Sequence, residues 1–304
     1  MHTQAVGGIS LAEFQSQYDS YLLKRGLSRQ TLKLHQQVLR SFFLWRFPTT
    51  RIQLRDLQFN DFVRFLTLEF ERLHHRESQR VWLMVLRSLL RFLAQEAYIP
   101  EGWDHALPAI GSYQHAQLPR RLSPAQLRLL FKASAGNKPR NLRDRALLLL
   151  FLRLGLRLGE VANLSPRDID WRSGTLTIRA MKSRRDRVLP LPRDVGTVLV
   201  AYLRVQRERP EHIFQPRRPP FTEERRRTHV LNSQRYLFHS VGIANLGSHS
   251  FRHTLATRLV SKGASFKAVA DVLGHKSVMT TMIYAKLDLQ ALKQVALPWP
   301  GGAR

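Results

Sequence analysis

The sequence contains no cysteine, and that absence removes disulfides, a thiol nucleophile, thiolate-bound zinc and iron–sulfur clusters together. It is compatible with a reducing, cytoplasmic setting. Acidic residues are scarce beside basic ones: 22 Asp and Glu face 49 Lys and Arg, for a formal net charge of +27 and a pI near 11.5. Such a balance favours a polyanionic partner, with nucleic acid first, over a neutral small substrate. Long apolar runs are missing as well. The longest, ALLLLFL from Ala146 to Leu152, is too short to cross a bilayer, and MHTQAVGGIS lacks the basic-then-apolar order of a secretory signal. A soluble, unsecreted protein without a membrane partner is expected. Several chemistries are excluded by missing motifs. There is no GxxxxGK[ST] phosphate loop, no HExxH and no GxSxG, which argues against nucleotide hydrolysis, a zincin and an α/β-hydrolase. No carboxylate cluster suggests a two-metal nuclease either, because Asp168 and Asp170 in PRDIDWRSG read as the turn into a strand.

What is present is ordinary globular material, with 43% hydrophobic residues in 304, a length that suits two domains better than one. Leu11 to Tyr98 is helical in pattern. Ser28 reads as the N-cap of one helix, and Arg76 to Tyr98 as a second, with Val81, Met84, Val85, Leu89, Phe92 and Leu93 on one apolar face. Ile99 to Pro124 holds four prolines and two glycines without a sustained period and reads as a linker. A second domain begins near Ser123, an N-cap followed by proline at the first helical position. Asp144 to Leu158 reads as a buried helix, and Thr175–Arg179 and Asp186–Leu191 as short strands joined by the basic turn MKSRR. The expectation is an all-α domain over residues 1–100, a linker over 101–122, and a mainly helical domain with a small antiparallel sheet over 123–304. Residues 1–100 carry a net charge of +6, which leaves +21 of the +27 on the remainder, so a phosphate backbone is expected mainly at the second domain.

Any phosphoryl chemistry in this chain would have to proceed without a metal. It then needs cationic donors around the phosphate, a nucleophile and a proton donor for the leaving oxygen. In GSHSFRHT, Ser248 can cap a helix whose first turn bears His249 and Arg252, near the positive helix end, with His253 one position further. Spacing alone leaves both histidines readable as ordinary helix residues. In LGLRLGEVANL, Arg157 follows Gly155 at a helix end, with Glu160 three residues on, either orienting it or serving as its surface partner. GHKSVMTTMIYAK places Tyr284 nine residues after His275.

Taken together, GLRLGEVANL, SHSFRHT, LGHKSVMTTMIYAK and Lys182, eight residues before Pro190, resemble the tyrosine site-specific recombinases, or phage integrases. The likeness covers nearly the whole chain. It implies an all-α N-terminal core-binding (SAM-like) domain and an α+β catalytic domain with a small sheet. It also implies a reaction without metal, ATP or other cofactor, in which Tyr284 attacks a DNA phosphodiester to give a 3′-phosphotyrosyl enzyme and a free 5′-hydroxyl. In the implied roles, Arg157 and Arg252 neutralise the nonbridging oxygens, His275 donates a hydrogen bond there, His249 assists proton movement at the tyrosine, and Lys182 is the general acid. Glu160 is a supporting residue. Two details depart from the commonest pattern. Phe251 stands where leucine is frequent, and Lys182 sits among arginines, so Arg184, Arg185 and Arg187 are read as DNA contacts. The implied partners are double-stranded DNA with inverted-repeat core sites and three further protomers, alike or different, in a tetramer. The completeness of the six positions argues against the alternative of a non-catalytic DNA-binding accessory of the same shape, and a third reading, a basic RNA-binding or ribosome-associated protein, would be marked by salt-sensitive binding with no preference for an inverted-repeat DNA site.

Overall fold

A computed structural model of the chain describes residues 8–48, 51–111, 120–179, 186–206, 210–244, 246–274 and 281. The chain divides into two compact units, Met1–Tyr113 and Gln114–Arg304.

The first unit is built from α1 (Leu11–Lys24), α2 (Arg29–Arg46), α3 (Phe59–Arg72), α4 (Arg76–Gln95) and the short α5 (Trp103–Ala106). Local chemistry sets the helix starts. The Ser10 hydroxyl accepts from the Glu13 N–H at 3.2 Å while the Glu13 carboxylate accepts from the Ser10 N–H at 3.1 Å, closing a capping box on α1. Ser28 caps α2 as expected, accepting from the Thr31 N–H at 3.1 Å. The core is aromatic, with Phe14, Phe42, Phe62 and Phe65 all buried and the Phe42 and Phe62 rings stacked 4.5 Å apart. A pairing that helical periodicity could not show joins two-residue strands, β1 (Ile9–Ser10) and β2 (Arg51–Ile52).

Two readings of this region change. Met84 is half exposed, because it shares a helix face with Arg80, Arg87 and Arg91, whereas Trp82, Leu83, Leu86 and Leu90 are buried. Part of the stretch read as linker is also packed. Ile99 and Leu107 are buried in this unit's core, and Asp104 accepts from Arg91 Nε at 2.8 Å.

The second unit contains α6 (Pro124–Ala133), α7 (Pro139–Leu154), α8 (Leu158–Ala162), then β3 (Ile169–Asp170), β4 (Thr175–Ile178) and β5 (Arg187–Pro190), followed by α9 (Arg193–Arg204), α10 (Glu223–His239), α11 (Ser248–Val260) and α12 (Phe266–Leu273). The sheet is antiparallel in the order β3-β4-β5, with Leu176 opposite Leu189 and Ile178 opposite Arg187. The β3 strand grows out of the turn that the sequence placed at Asp168 and Asp170. Asp170 Oδ1 accepts from the Arg172 and Ser173 N–H groups, and the buried Asp168 accepts from Arg179 Nε at 2.7 Å.

Helix α7 is the spine, buried nearly all round and packed by α9, α10 and α11. It starts at Pro139 rather than Asp144, as a proline at the first helical position permits. It stops at Leu154 because Gly155 turns left-handed at φ 60°. Any side chain at Gly155 would collide, since a Cβ there would lie 2.6 Å from Leu273 Cδ2 and 2.9 Å from Leu255 Cδ2. Helix α11 starts one residue earlier than expected. Ser248 is its first helical residue, and Gly247 is the cap, donating to Ser250 Oγ at 3.4 Å. No helix among the described residues is long and apolar enough to cross a membrane.

Candidate active site

Gly155 fixes where α7 ends, and Arg157, two residues on, precedes α8. The Arg157 N–H donates to Glu160 Oε2 at 2.8 Å, which starts the helix, and its Nη1 donates to Glu160 Oε1 at 3.0 Å. Its Nη2 donates to the Gly274 carbonyl at 2.9 Å. Arg252, on α11, is 4% exposed. Its Nη1 donates to the Gly155 carbonyl and its Nη2 to the Leu273 carbonyl. Both arginines therefore grip consecutive carbonyls at the end of α12, and Arg252 also holds the end of α7. Cations at helix C-termini are electrostatically favoured there. Three segments are thus joined by two side chains: the Gly155–Arg157 turn, α11 about a hundred residues later, and the Leu273–Gly274 turn that leads to His275.

Glu160 is the anion of this cluster. Arg187, at the start of β5, donates from Nη1 to Oε1 at 3.0 Å and from Nη2 to Oε2 at 2.9 Å, a two-pronged ion pair. Burial alone would push the Glu160 carboxyl up; the Arg187 hydrogen bonds and charge, with the Arg157 N–H and charge, outweigh it and hold the carboxyl below its usual range. Gly274 is left-handed at φ 60°, and a Cβ added there would lie 2.8 Å from Arg187 Nη1. The glycine of the LGH segment is thus required by both backbone conformation and close approach.

His249 and His253 lie on the same side of α11, with ring centroids 6.5 Å apart. Partial desolvation, followed by the charges of Arg252 and Arg157, pulls His249 below the ordinary histidine value. His253 is pulled down further, to about 4, by desolvation, His249 and Arg252. Both shifts favour the neutral imidazole, the form that can accept a proton.

The structure thus brings together Arg157, Glu160, Arg187, Arg252 and Gly274, with His249 on the same helix as Arg252. Lys182, Arg184, Arg185, His275 and Tyr284 lie outside the described residues. The Arg187–Glu160 pair is the feature that sequence reasoning missed, having placed Arg187 with Arg184 and Arg185 on the DNA. Strand alternation held the signal: Arg187 shares its face with Leu189, which is buried, while Val188 and Pro190 are exposed.

Residues 120–290 match the phage integrase family. The chain belongs to that family and is a tyrosine recombinase, an enzyme of DNA recombination. Among its relatives, the Sinorhizobium fredii protein named integrase/recombinase y4rA is 35% identical over 92% of this chain and 69% of its own length. Tyrosine recombinase XerA of Thermococcus kodakarensis is 26% identical over 93% of each chain. The same fold occurs in the XerH site-specific recombinase bound to its palindromic difH substrate, with a TM-score of 0.69, 18% identity, and coverage of 92% of this chain and 83% of that one. It occurs again in a lambda integrase dimer bound to a COC′ core site, with a TM-score of 0.67, 20% identity, and coverage of 91% and 77%.

Proposed function

We propose that this recombinase cleaves and rejoins double-stranded DNA through Tyr284, working as a tetramer on inverted-repeat core sites in the nucleoid, with residues 1–100 as a core-binding DNA-binding domain and residues 123–304 as the catalytic domain. The observation that carries the reading is the convergence of Arg157 and Arg252 on the carbonyls of Leu273 and Gly274. It joins the GLR, HSFR and LGH segments into one cationic cluster, on the turn that precedes His275 in sequence.

In the proposed reaction the Tyr284 oxygen forms a bond to phosphorus as the bond from phosphorus to the 5′-oxygen breaks. The phenol proton passes to a base, for which the neutral His249 is suited, and Lys182 gives a proton to the departing 5′-oxygen. Arg157, Arg252 and His275 offset the charge that gathers on the nonbridging oxygens. Tyrosine's ordinary pKa of about 10 makes it a weak nucleophile at neutral pH, so this cationic setting has to activate it. The phosphotyrosyl ester conserves the energy of the broken bond, and attack by a 5′-hydroxyl reverses the step.

The test is a covalent adduct. Duplexes selected by the protein from a random-sequence pool are nicked near the cleavage site, so that the freed fragment diffuses away and traps the intermediate. Wild-type protein should accumulate a DNA-linked species, and Tyr284→Phe should form none while still binding the duplex. An adduct persisting in Tyr284→Phe would refute the assignment, and no adduct in the wild type would favour a DNA-binding accessory.

A further inference from the structure

Arg187 is the cation whose position the reaction above does not explain. We propose that it is a positioning residue for strand cleavage: by holding both oxygens of Glu160 it keeps Arg157 oriented and only partly neutralised, so that the cluster keeps a positive charge for the scissile phosphate. The proposal rests on the Tyr284 reaction.

The geometry is specific. Glu160 Oε1 accepts from Arg157 Nη1 and Arg187 Nη1, each at 3.0 Å. Its Oε2 accepts from the Arg157 N–H at 2.8 Å and Arg187 Nη2 at 2.9 Å. One carboxylate thus lies between two guanidinium groups, and the three side chains together carry one surplus positive charge. All three are largely buried, at 23% exposure for Arg157, 7% for Glu160 and 16% for Arg187, where charge is poorly screened. Without Arg187, Glu160 would face Arg157 alone. The pair would be neutral, and the carboxylate would be free to turn both oxygens to the Arg157 guanidinium.

Arg187 also touches the second group that Arg157 holds. Its guanidinium occupies the space that a Cβ on Gly274 would need, and the Gly274 carbonyl accepts from Arg157. It therefore backs the Gly274 turn as well as Glu160. Its side of β5 is the inward one, shared with Leu189 and facing Ile178 and Leu176 across the sheet, and there its guanidinium is taken up by Glu160.

The experiment measures the first-order rate of adduct formation at saturating nicked duplex, together with duplex affinity, for wild type, Arg187→Gln, Arg187→Lys and the double variant Arg187→Gln/Glu160→Gln. Arg187→Gln should slow the adduct step about 10- to 100-fold, as misplacement of a catalytic group does, with affinity changed less than about two-fold, since no phosphate contact is lost. The double variant should be faster than Arg187→Gln alone, because removing the carboxylate's charge restores the positive site. Arg187→Lys, which returns the charge with a single prong, should fall between wild type and Arg187→Gln. Unchanged affinity shows that each variant is folded. A double variant slower than Arg187→Gln overturns the proposal, because a merely structural ion pair would give that result. A selective loss of affinity in Arg187→Gln also overturns it, by making Arg187 a DNA contact. If wild type forms no Tyr284-dependent adduct, the reaction falls and this proposal with it; if Arg187→Gln reacts as fast as wild type, this proposal falls alone.

Discussion

His253 is the residue most strongly shifted in the candidate site, with a pKa of about 4 against an ordinary 6.5. Desolvation is the largest cause, and the neighbouring His249 and Arg252 add to it. The consequence for stability has a definite sign. An unfolded chain takes up this proton near pH 6.5, but the folded chain resists until about pH 4. Between those values the unfolded state binds more protons, so stability falls as pH falls through this window and is fully present above it. His249 acts in the same direction. The melting temperature should therefore decline from pH 7 to pH 4, and His253→Gln should flatten that decline. Superimposable pH profiles for the two proteins would contradict the burial and charge assigned to this ring. The acidic side of the site behaves differently: Glu160 is held below its usual range by two arginines, so its contribution survives until more acidic conditions.

At the scale of elements, α7, α10 and α11 are joined through one aromatic side chain. Phe251 stacks on Phe151 of α7 with centroids 5.6 Å apart and 5° between planes, and on Phe238 of α10 at 5.1 Å. It is 1% exposed and precedes Arg252, so the packing that fixes α11 also fixes the arginine. Phe251→Ala should lower unfolding stability by about 3–5 kcal/mol, whereas Phe251→Leu, which keeps most of the volume, should cost below about 1.5 kcal/mol. Equilibrium denaturation measures both; equal small losses would mean that α11 is not held by this stack. Elements of this kind were largely legible in the sequence, because α2, α4, α6 and the β4–β5 pair announce themselves by caps, period and alternation. What periodicity could not supply is which ends meet. The Arg157–Gly274 and Arg252–Gly155 bonds link positions 117 and 97 residues apart, and the tight packing of Gly155, where a side chain would strike Leu273 and Leu255, is equally long-range. Motif likeness, not pattern, put those residues in one site. The same limit explains Arg187, since a basic turn looks uniformly like DNA-facing surface until strand alternation separates the inward arginine from the rest.

For the whole molecule the question is where a charge of +27 meets DNA. The excess is uneven, with +6 on residues 1–100 and +21 on the remainder. Several of the second unit's arginines are already engaged within the protein: Arg157 and Arg187 with Glu160, Arg179 with Asp168, and Arg252 with backbone carbonyls. Net charge therefore overstates the number of phosphate contacts, and the salt dependence of binding is the direct count. Each neutralised phosphate contributes about −0.9 to the slope of log affinity against log salt on duplex DNA. Arg184 and Arg185, proposed as DNA contacts, should together account for nearly two units of that slope, so the double variant Arg184→Gln/Arg185→Gln should bind duplex with a slope shallower by about 1.8. Arg187→Gln should leave the slope unchanged, because its guanidinium belongs to Glu160. The measurement is a fluorescence-anisotropy titration of one selected duplex at four or more salt concentrations. An unchanged slope in the double variant would remove Arg184 and Arg185 from the interface, and a loss of about 0.9 in Arg187→Gln would return Arg187 to it.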